Sequence, residues 1–522
     1  MKTAYILFYI LLSPAILYGQ KVTPQNPGKV APTDTIVPGN GTPEQQLEKI
    51  KAVKVKKLSD MHGNEPKKSK LVDTTLHNKY GDLLIDDTLH NRKYPLWIPF
   101  VEGIGTNLIT WSLDRYIINA DYSRVGPVVW RDNIKKGWEW DIDRFGVNFI
   151  GHPYAGTLYF NAGRANGYNY YQSGLFAVAG SFMWEYLGEN TRPSYNDIIY
   201  TPVNGSFLGE ILYRLSSNVL DDRTRGMQRF SRELLAGVIN PMRGLNRIIQ
   251  GKTRRSTNKE VYEKEPLNVA LYTGIHKIND GIKPNFAKGT NSIMLNVQFD
   301  YGNPFEKRAR KAFDFFKFRT EFDLGVLRFV SNITGYGILA GKNVNYGKHS
   351  MLFGIFEYSD YWDNKTFELG AIAIGGGIFS KIPINKTSEL YTNIHIGAIP
   401  FAGNSSRFGP DTSLIKDYDF GNGLEGKIES TINIGKFATA SLIYYYFVIH
   451  TIVGPPGNNL IAILKPRATV RLYKGLSIGF EHFVYYNNRY LRNSIAIHAI
   501  RTEQKLFLLY YFEDKQRRGH YN

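Results

Sequence analysis

The sequence predicts an α+β membrane protein: an antiparallel transmembrane β-barrel of about twelve strands, preceded by a helical domain and a disordered N-terminal segment. Two observations predict this fold. After about residue 285, apolar and polar residues alternate through segment after segment, as in strands whose successive side chains point to opposite faces. The chain also begins with the pattern of an export signal. A single such strand would suit a soluble sandwich, but the repeated alternation in an exported chain favours a membrane barrel with a polar lumen.

The N-terminal residues 1–20 have the features of a secretory signal peptide. Lys2 supplies the positive charge, residues 5–17 are apolar, and Gly19 and Gln20 suit cleavage. This apolar stretch is shorter than the about 20 residues that a spanning helix needs. Residues 21–93 are rich in proline and, over 49–70, in lysine. Such a composition predicts a disordered basic linker, because it buries too little apolar surface to offset chain entropy.

The composition excludes several classes of site and partner. The chain has no cysteine, which rules out disulfides, thiolate metal sites and a cysteine nucleophile. No metal and no cofactor are predicted. The formal net charge is +18, but export makes nucleic acid an unsuitable partner, so we expect anionic outer-membrane lipids to be the counterpart. Aromatic residues make up 14% of the chain, which suits the girdles of a barrel.

Residues 94–252 predict a helical domain of about five or six helices. Apolar residues recur at helical spacing over 97–118. Pro153 suits the start of a second helix and Gly167 its end. Residues 174–186 are apolar nearly all round, which predicts a helix buried against other helices. Two further helices are predicted over 206–222 and 228–238. We expect this domain in or under the periplasmic mouth of the barrel, where it could act as a plug.

Residues 260–512 predict the barrel, and 513–522 form a polar tail. The predicted strands centre near residues 271, 296, 319, 334, 354, 371, 395, 429, 443, 468, 481 and 507. Turn residues separate them at 302–304, 363–364, 403–404 and 454–457. The longest gap, 404–420, predicts an external loop.

The charged residues predicted to face the lumen are of both signs. They are Lys317, Arg319, Glu321, Asp323, Glu425, Lys427, Glu429, Arg467, Arg471 and Glu481. Mixed signs argue against an ion-selective open pore. They favour a lumen closed by internal ion pairs, or one occupied by the helical domain or the basic N-terminal segment.

Four short motifs mark the helical domain: residues 151–154 (GHPY), 162–167 (AGRANG), 184–186 (WEY) and 240–244 (NPMRG). With these motifs, the chain resembles an uncharacterised domain-of-unknown-function family found in outer-membrane β-barrel proteins of Bacteroidetes-type bacteria. The resemblance implies an outer-membrane location and the architecture described above. It implies no particular activity.

Four residues of the helical domain are candidates for acid–base chemistry: His152, Glu185, Glu189 and Asp197. Glu185 and Glu189 share a helix face, and a buried carboxylate can act as a general base. His152 could activate a water or a serine such as Ser173 or Ser181. The structural alternatives are an ion pair of Glu185 with Arg164 or Arg192, a backbone hydrogen bond of His152, and a capping role for Asp197. Glu210 and Arg214 are one helical turn apart, which predicts a structural ion pair.

An arginine cluster provides a second candidate site, since guanidinium groups suit phosphate. Its members are Arg223, Arg225, Arg229, Arg232, Arg243, Arg247, Arg254 and Arg255. The first six are predicted to bind lipid phosphate. Two functions therefore compete: a binding or scaffold protein whose helical domain engages envelope lipid or an envelope or periplasmic protein, and a lipid-modifying hydrolase or acyl transferase that uses His152 and Glu185. A transporter or channel is a third.

Overall fold

The computed structural model describes residues 92–141, 143–257, 260–279, 289–325, 329–406, 418–492 and 496–513. The predicted signal peptide and nearly all of the predicted linker lie outside these ranges. So do the centre of the predicted loop 404–420 and most of the predicted tail.

Seven α-helices form the helical domain in the described residues. They are α1 (Trp97–Ser112), α2 (Pro127–Lys136), α3 (His152–Ala165), α4 (Tyr170–Leu187), α5 (Tyr195–Val219), α6 (Gly226–Ile239) and α7 (Pro241–Ile249). Wider π-helical turns extend α1 over Leu113–Ile118 and precede α3 over Val147–Gly151. Helices α2 and α7 were not predicted, and α5 begins at Tyr195, eleven residues before its predicted start at 206.

Capping residues explain where the helices begin and end. Pro153 lies in the first turn of α3, as predicted. Gly167 follows the helix with a φ of +88°, a conformation that glycine adopts without strain. Ser194 caps α5 by accepting a hydrogen bond from the Asp197 backbone N–H. This cap lies upstream of the apolar positions that the sequence analysis used, which is why the predicted start of α5 was wrong.

Twelve strands close into one antiparallel barrel. They are β1 (Leu267–Ile278), β2 (Thr290–Tyr301), β3 (Phe316–Asp323), β4 (Val330–Tyr346), β5 (His349–Asp363), β6 (Phe367–Pro383), β7 (Glu389–Ser406), β8 (Asp419–Ile434), β9 (Ala438–Val453), β10 (Gly457–Tyr473), β11 (Leu476–Leu491) and β12 (Ile497–Phe512). Every predicted strand centre falls inside one of them. The fold class is thus confirmed, and so is the outer-membrane location, since closed even-stranded barrels are the architecture of bacterial outer-membrane proteins.

One predicted turn is wrong. Gly403 and Asn404 continue β7, where they pair with Gly370 and Leu369 of β6. Glycine and asparagine usually signal a turn. Gly403 instead leaves room for an aromatic side chain of the helical domain, as described below.

Contacts across the barrel identify the inward face of the sheet. Lys317 of β3 donates to Glu429 of β8 at 3.0 Å, and Lys427 of β8 pairs with Asp360 of β5. These strands are not neighbours, so the side chains meet in the lumen. Ion pairs therefore occupy the lumen, which is one of the predicted alternatives.

Aromatic and aliphatic side chains fill much of the remaining lumen. Their buried cluster includes Tyr336, Phe356, Trp362, Phe447 and Tyr485. At the end of the barrel where β1 begins, the β2–β3 connection folds inward. Its Arg310 donates to Asn343 at 2.8 Å, and its Phe305 packs against Tyr391. The described part of the barrel is therefore a packed interior rather than an open pore.

The helical domain packs on the outer wall of the barrel. Register and alternation place Gly370 and Gly403 on the outward face, next to inward Ala371 and Ala402. The Phe149 ring covers both glycines, since a Cβ at Gly370 would lie 2.0 Å from it and a Cβ at Gly403 would lie 2.2 Å from it. The expectation that this domain lies in or under the periplasmic mouth, as a plug, is therefore wrong. The lumen is already filled, and glycines on the outer wall open the docking surface.

Helix α5 follows the wall from one end of the barrel to the other. Near its start, Tyr200 packs against Phe401 of β7 with ring centroids 5.8 Å apart. In its middle, Phe207 approaches Gly335 of β4. Near its end, Asn218 donates to the carbonyl of Glu265, just before β1. A helix of this length is about 37 Å long, and it crosses successive strands because barrel strands tilt.

The side of the domain that faces away from the barrel is apolar. The exposed residues Tyr171, Leu175, Val178 and Phe182 form a stripe along α4. A second stripe, on the neighbouring α1, comprises Trp97, Val101, Ile104 and Leu108. The predicted helix 174–186 packs on α3 and α5 with one face, as expected, but its other face is uncovered. Among the helices in the described ranges, none is both long enough and apolar enough to cross a membrane by itself.

Adding a side chain at Gly370 tests this docking. We expect Gly370→Val to displace Phe149 and to expose the helical domain to protease, while the barrel keeps its resistance and its heat-modifiable mobility on gels. Gly376→Val on the same strand is the matched control, because a Cβ there meets nothing within 4 Å. Limited proteolysis in detergent measures the difference. Equal cleavage of the two variants would contradict the docking described here.

Candidate functional site in the helical domain

The four predicted candidates and one further acid, Asp143, gather where α3, α4 and α5 meet. The π-helical turn before α3 directs Phe149 to the barrel wall and leads directly into His152. His152 Nε2 lies 3.9 Å from Asp197 Oδ1 and 3.9 Å from Asp143 Oδ2. The Asp143 side chain is 51% exposed, whereas that of Asp197 is 4% exposed. The imidazole thus lies between a buried and an exposed carboxylate.

Glu185 and Glu189 lie at the C-terminal end of α4, close enough for their charges to interact with His152. Each also has its own partner. Glu185 Oε2 accepts from the Ser194 backbone N–H at 2.7 Å, and Glu189 accepts from Trp184 Nε1 at 2.6 Å. Neither predicted arginine pairs with Glu185. Arg164 binds Glu210, and Arg192 lies 3.4 Å from Glu139.

The geometry does not make a serine nucleophile. Ser173 Oγ donates to the Tyr168 carbonyl and Ser181 Oγ to the Asp197 carbonyl, at 3.4 and 3.2 Å. An activated serine must instead bond to its base. The 3.9 Å separations at His152 are longer than hydrogen bonds, so the cluster is an electrostatic grouping. No group of three or more His, Cys, Asp or Glu in the described part of the chain is arranged to hold a metal ion.

A buried ion triad lies further along the same helices. Glu210 has a side chain that is 0% exposed, and it accepts from Arg164 Nε at 2.6 Å and from Arg214 Nε at 2.8 Å. The predicted Glu210–Arg214 pair is therefore present, with Arg164 as an additional partner. Arg214 also donates to the Ala312 carbonyl in the β2–β3 connection. The triad thus joins α3 and α5 to the barrel.

A further polar contact between the helical domain and the barrel was not predicted. Tyr170 of α4 donates to Glu357 of β5. Glu357 lies on the outward face, paired with Gly337, and is only 4% exposed. A carboxylate at an outward position in the middle of β5 was the available signal, because a lipid-facing strand does not place a charge there without a partner.

The structure separates the predicted arginine cluster into two groups. Arg229, Arg243 and Arg247 are buried. Arg229 and Arg247 pair with Asp222 and Glu233, and Arg243 donates to Tyr213, Ser216 and Ser217. These three therefore hold α5, α6 and α7 together rather than facing a head group. Arg223 and Arg225 are exposed and Arg232 is half-buried, although Arg223 also pairs with Asp221 and Glu260.

A protein-family model matches part of the helical domain. Residues 137–242 match the family model described as "Domain of unknown function (DUF3943)". The match runs from the end of α2 to the start of α7 and includes the His152 cluster, so the predicted resemblance to a domain-of-unknown-function family is confirmed. No curated protein matches the chain.

Solved structures give distant likenesses only. The outer membrane channel DcaP of Acinetobacter baumannii is 7% identical over 48% of this chain and 96% of its own, with a TM-score of 0.22. OmpT, an outer membrane protein of Vibrio cholerae, is 10% identical over 47% and 96%, with a TM-score of 0.20. The anion-selective porin from Comamonas acidovorans is 8% identical over 47% and 98%, with a TM-score of 0.21. TM-scores this low do not define a shared fold, so the fold assignment is based on the strand pairing described above.

Replacing Glu210 tests the buried triad. We expect Glu210→Gln to destabilise the helical domain by about 3–5 kcal/mol, because two buried guanidinium groups lose their shared carboxylate. Glu139→Gln is the control: its partner Arg192 is 40% exposed, and such a pair contributes at most about 1 kcal/mol. Thermal unfolding in detergent, followed by circular dichroism at helical wavelengths, compares the two. Equal melting shifts would contradict a structural role for Glu210.

Proposed function

We propose that this protein is an outer-membrane binding scaffold, in which a closed barrel holds a helical domain sideways in the membrane so that the domain contacts lipid. One observation carries the proposal: the domain docks on the outer wall of the barrel and leaves an apolar surface on its other side. A domain in this position replaces lipid over part of the wall and meets lipid with its own helices. The packed lumen does not favour a function in transport through the barrel.

The uncovered apolar surface suits a bilayer better than water. The stripes on α1 and α4 run beside α5, which extends along the full wall, and the acyl region of a bilayer is about 30 Å thick. The polar groups of the domain are turned inward: Glu210 pairs with arginines, and Asn161 donates to backbone carbonyls of Thr157 and Gly209. Buried polar pairing and exposed apolar side chains are what a lipid environment requires.

The lengths of the turns between strands indicate which end of the barrel faces the periplasm. The two-residue turns 347–348 and 474–475 lie at the end of the barrel where β1 begins, and no connection between the described strands at the other end is shorter than three residues. Bacterial barrels carry their short turns on the periplasmic side. This orientation puts α6 and α7 at the inner leaflet and the His152 cluster toward the outer leaflet. The exposed apolar residues on α6 and α7 fit helices that lie in an interface; they are Met227, Phe230, Leu234, Leu235, Leu245, Ile248 and Ile249.

Single cysteines test the lipid contact cleanly, because the chain has none of its own. We expect a fluorophore on Leu175→Cys in proteoliposomes to be quenched by brominated acyl chains and protected from iodide. Ile396→Cys, on the uncovered barrel wall, is the lipid control, and Tyr346→Cys, at a turn, is the water control. Iodide quenching at Leu175 equal to that at Tyr346 would contradict the proposal. A label shielded from both quenchers would point to a protein partner on this surface.

A second candidate function rests on the His152 cluster. An imidazole between a buried and an exposed carboxylate, at the outer-leaflet end of the domain, has the residue types for acid–base catalysis on a membrane lipid. The reaction class is hydrolysis or acyl transfer, with His152 and Glu185 as the acid–base pair.

Lipid profiles of envelopes test this second function. The strains compared lack the protein, carry it intact, or carry the His152→Ala, Glu185→Gln double variant at equal abundance. If the protein is an enzyme, we expect one lipid species to follow the intact protein and to disappear in the double variant, as mass spectrometry would show. Identical profiles in the three strains would exclude lipid chemistry at this cluster and leave the scaffold.

A further inference from the structure

A cavity of about 280 Å³ lies inside the barrel, at the end opposite the one where β1 begins. It is lined by inward side chains of β1, β3, β5, β11 and β12 together with the β5–β6 turn; among them are His276, Asp323, Trp362, Lys365, Tyr485 and Glu503. The packed lumen lies beneath it, so the cavity is a pocket and not the mouth of a channel. No described residue of the helical domain lines it.

Four titratable side chains of the pocket, those of His276, Glu321, Asp323 and Glu503, are paired with one another or with Lys505. His276 Nδ1 lies 2.6 Å from Glu503 Oε1, and its Nε2 lies 3.4 Å from Asp323 Oδ2. Lys505 bonds to Glu321 and lies 3.3 Å from Glu503. Paired charges make poor partners for a charged ligand, because binding one would leave a buried group without its partner. They still offer a neutral ligand acceptors and donors.

Two donors in the pocket lack acceptors among the described residues. Trp362 lines the cavity with its side chain 2% exposed, and its indole N–H has no partner. Asn364 uses its side-chain oxygen to cap the β5–β6 turn, where it accepts from Thr366 and Phe367, but its side-chain N–H₂ group has no partner. Buried donors without acceptors are rare in folded proteins. Both are explained if a ligand brings oxygen acceptors.

We propose that this pocket binds a short neutral saccharide from the medium outside the cell. Trp362 and Tyr485 contribute aromatic carbon to the cavity wall, against which the C–H groups of a sugar would pack. The paired carboxylates accept from hydroxyl groups, and the free donors of Trp362 and Asn364 give to them. The cavity volume falls near the lower end of the range of about 300–1,000 Å³ for ligand pockets, which fits one or two sugar rings. This site is independent of the helical domain and of the function proposed for it.

An array of immobilised neutral, amino and acidic oligosaccharides, probed with the full-length protein in detergent, provides the first measurement. The tightest neutral glycan is then titrated in solution against three variants. Trp362→Phe keeps an aromatic ring and removes the N–H. Asn364→Asp keeps the oxygen that caps the turn and removes the N–H₂ group. Trp130→Phe, on α2, is the matched control away from the pocket. Heat-modifiable mobility on gels checks that each barrel is folded.

We expect the intact protein to bind neutral glycans, Trp362→Phe and Asn364→Asp to weaken binding at least tenfold, and Trp130→Phe to leave it unchanged. Absence of binding to every neutral glycan at millimolar concentration would overturn the proposal. So would a preference for acidic or amino glycans, or an affinity that both pocket variants retain. If either pocket variant misfolds, the other decides the outcome. Quenching at Leu175→Cys does not depend on this result, so the two proposals can fail separately.

Discussion

A polar group without a partner costs several kcal/mol inside a bilayer, and this constraint governs both faces of the barrel. On the inner face, charges of opposite sign meet across the lumen, as Lys427 and Asp360 do. On the outer face, the one buried carboxylate described above, Glu357, is covered by Tyr170 of the helical domain. The same requirement gives the domain its inverted organisation, with paired charges inside and large apolar side chains outside.

Local pattern was enough to predict the strands but not what covers them. The alternation of apolar and polar residues, as along β3, fixes which side chains share a face. The same alternation in other segments located all twelve strands. An apolar outward face, however, suits acyl chains and a packed helix equally well. Gly370 and Gly403 distinguish the two, since they make room for Phe149. Their role depends on a contact more than 200 positions distant in sequence, which no local pattern contains, and Gly403 was therefore interpreted as a turn.

In the candidate site, too, local contacts were predictable and contacts between helices were not. Helical spacing correctly paired Glu210 with Arg214, since those residues are neighbours on one helix. It could not predict that Arg164 completes the triad, or that His152 lies beside Asp197, because both contacts depend on how α3 packs on α5. The arginine cluster was misjudged for a related reason. Its density suggested a surface for phosphate, but Asp222 and Glu233 bring two of these side chains inside.

Docking on the outer wall has a consequence for biogenesis. The helical domain precedes the barrel in the chain, so it crosses the periplasm before the surface that covers Phe149 and Phe207 exists. Until the sheet closes, the domain carries apolar side chains on both of its sides, and such a chain aggregates in water. The barrel-facing side chains of the helices are therefore shielded from water only once β3 to β8 are in place. Burial of Phe149 and Phe207 is thus tied to closure of the sheet, because their partners Gly370, Gly403 and Gly335 lie on its strands.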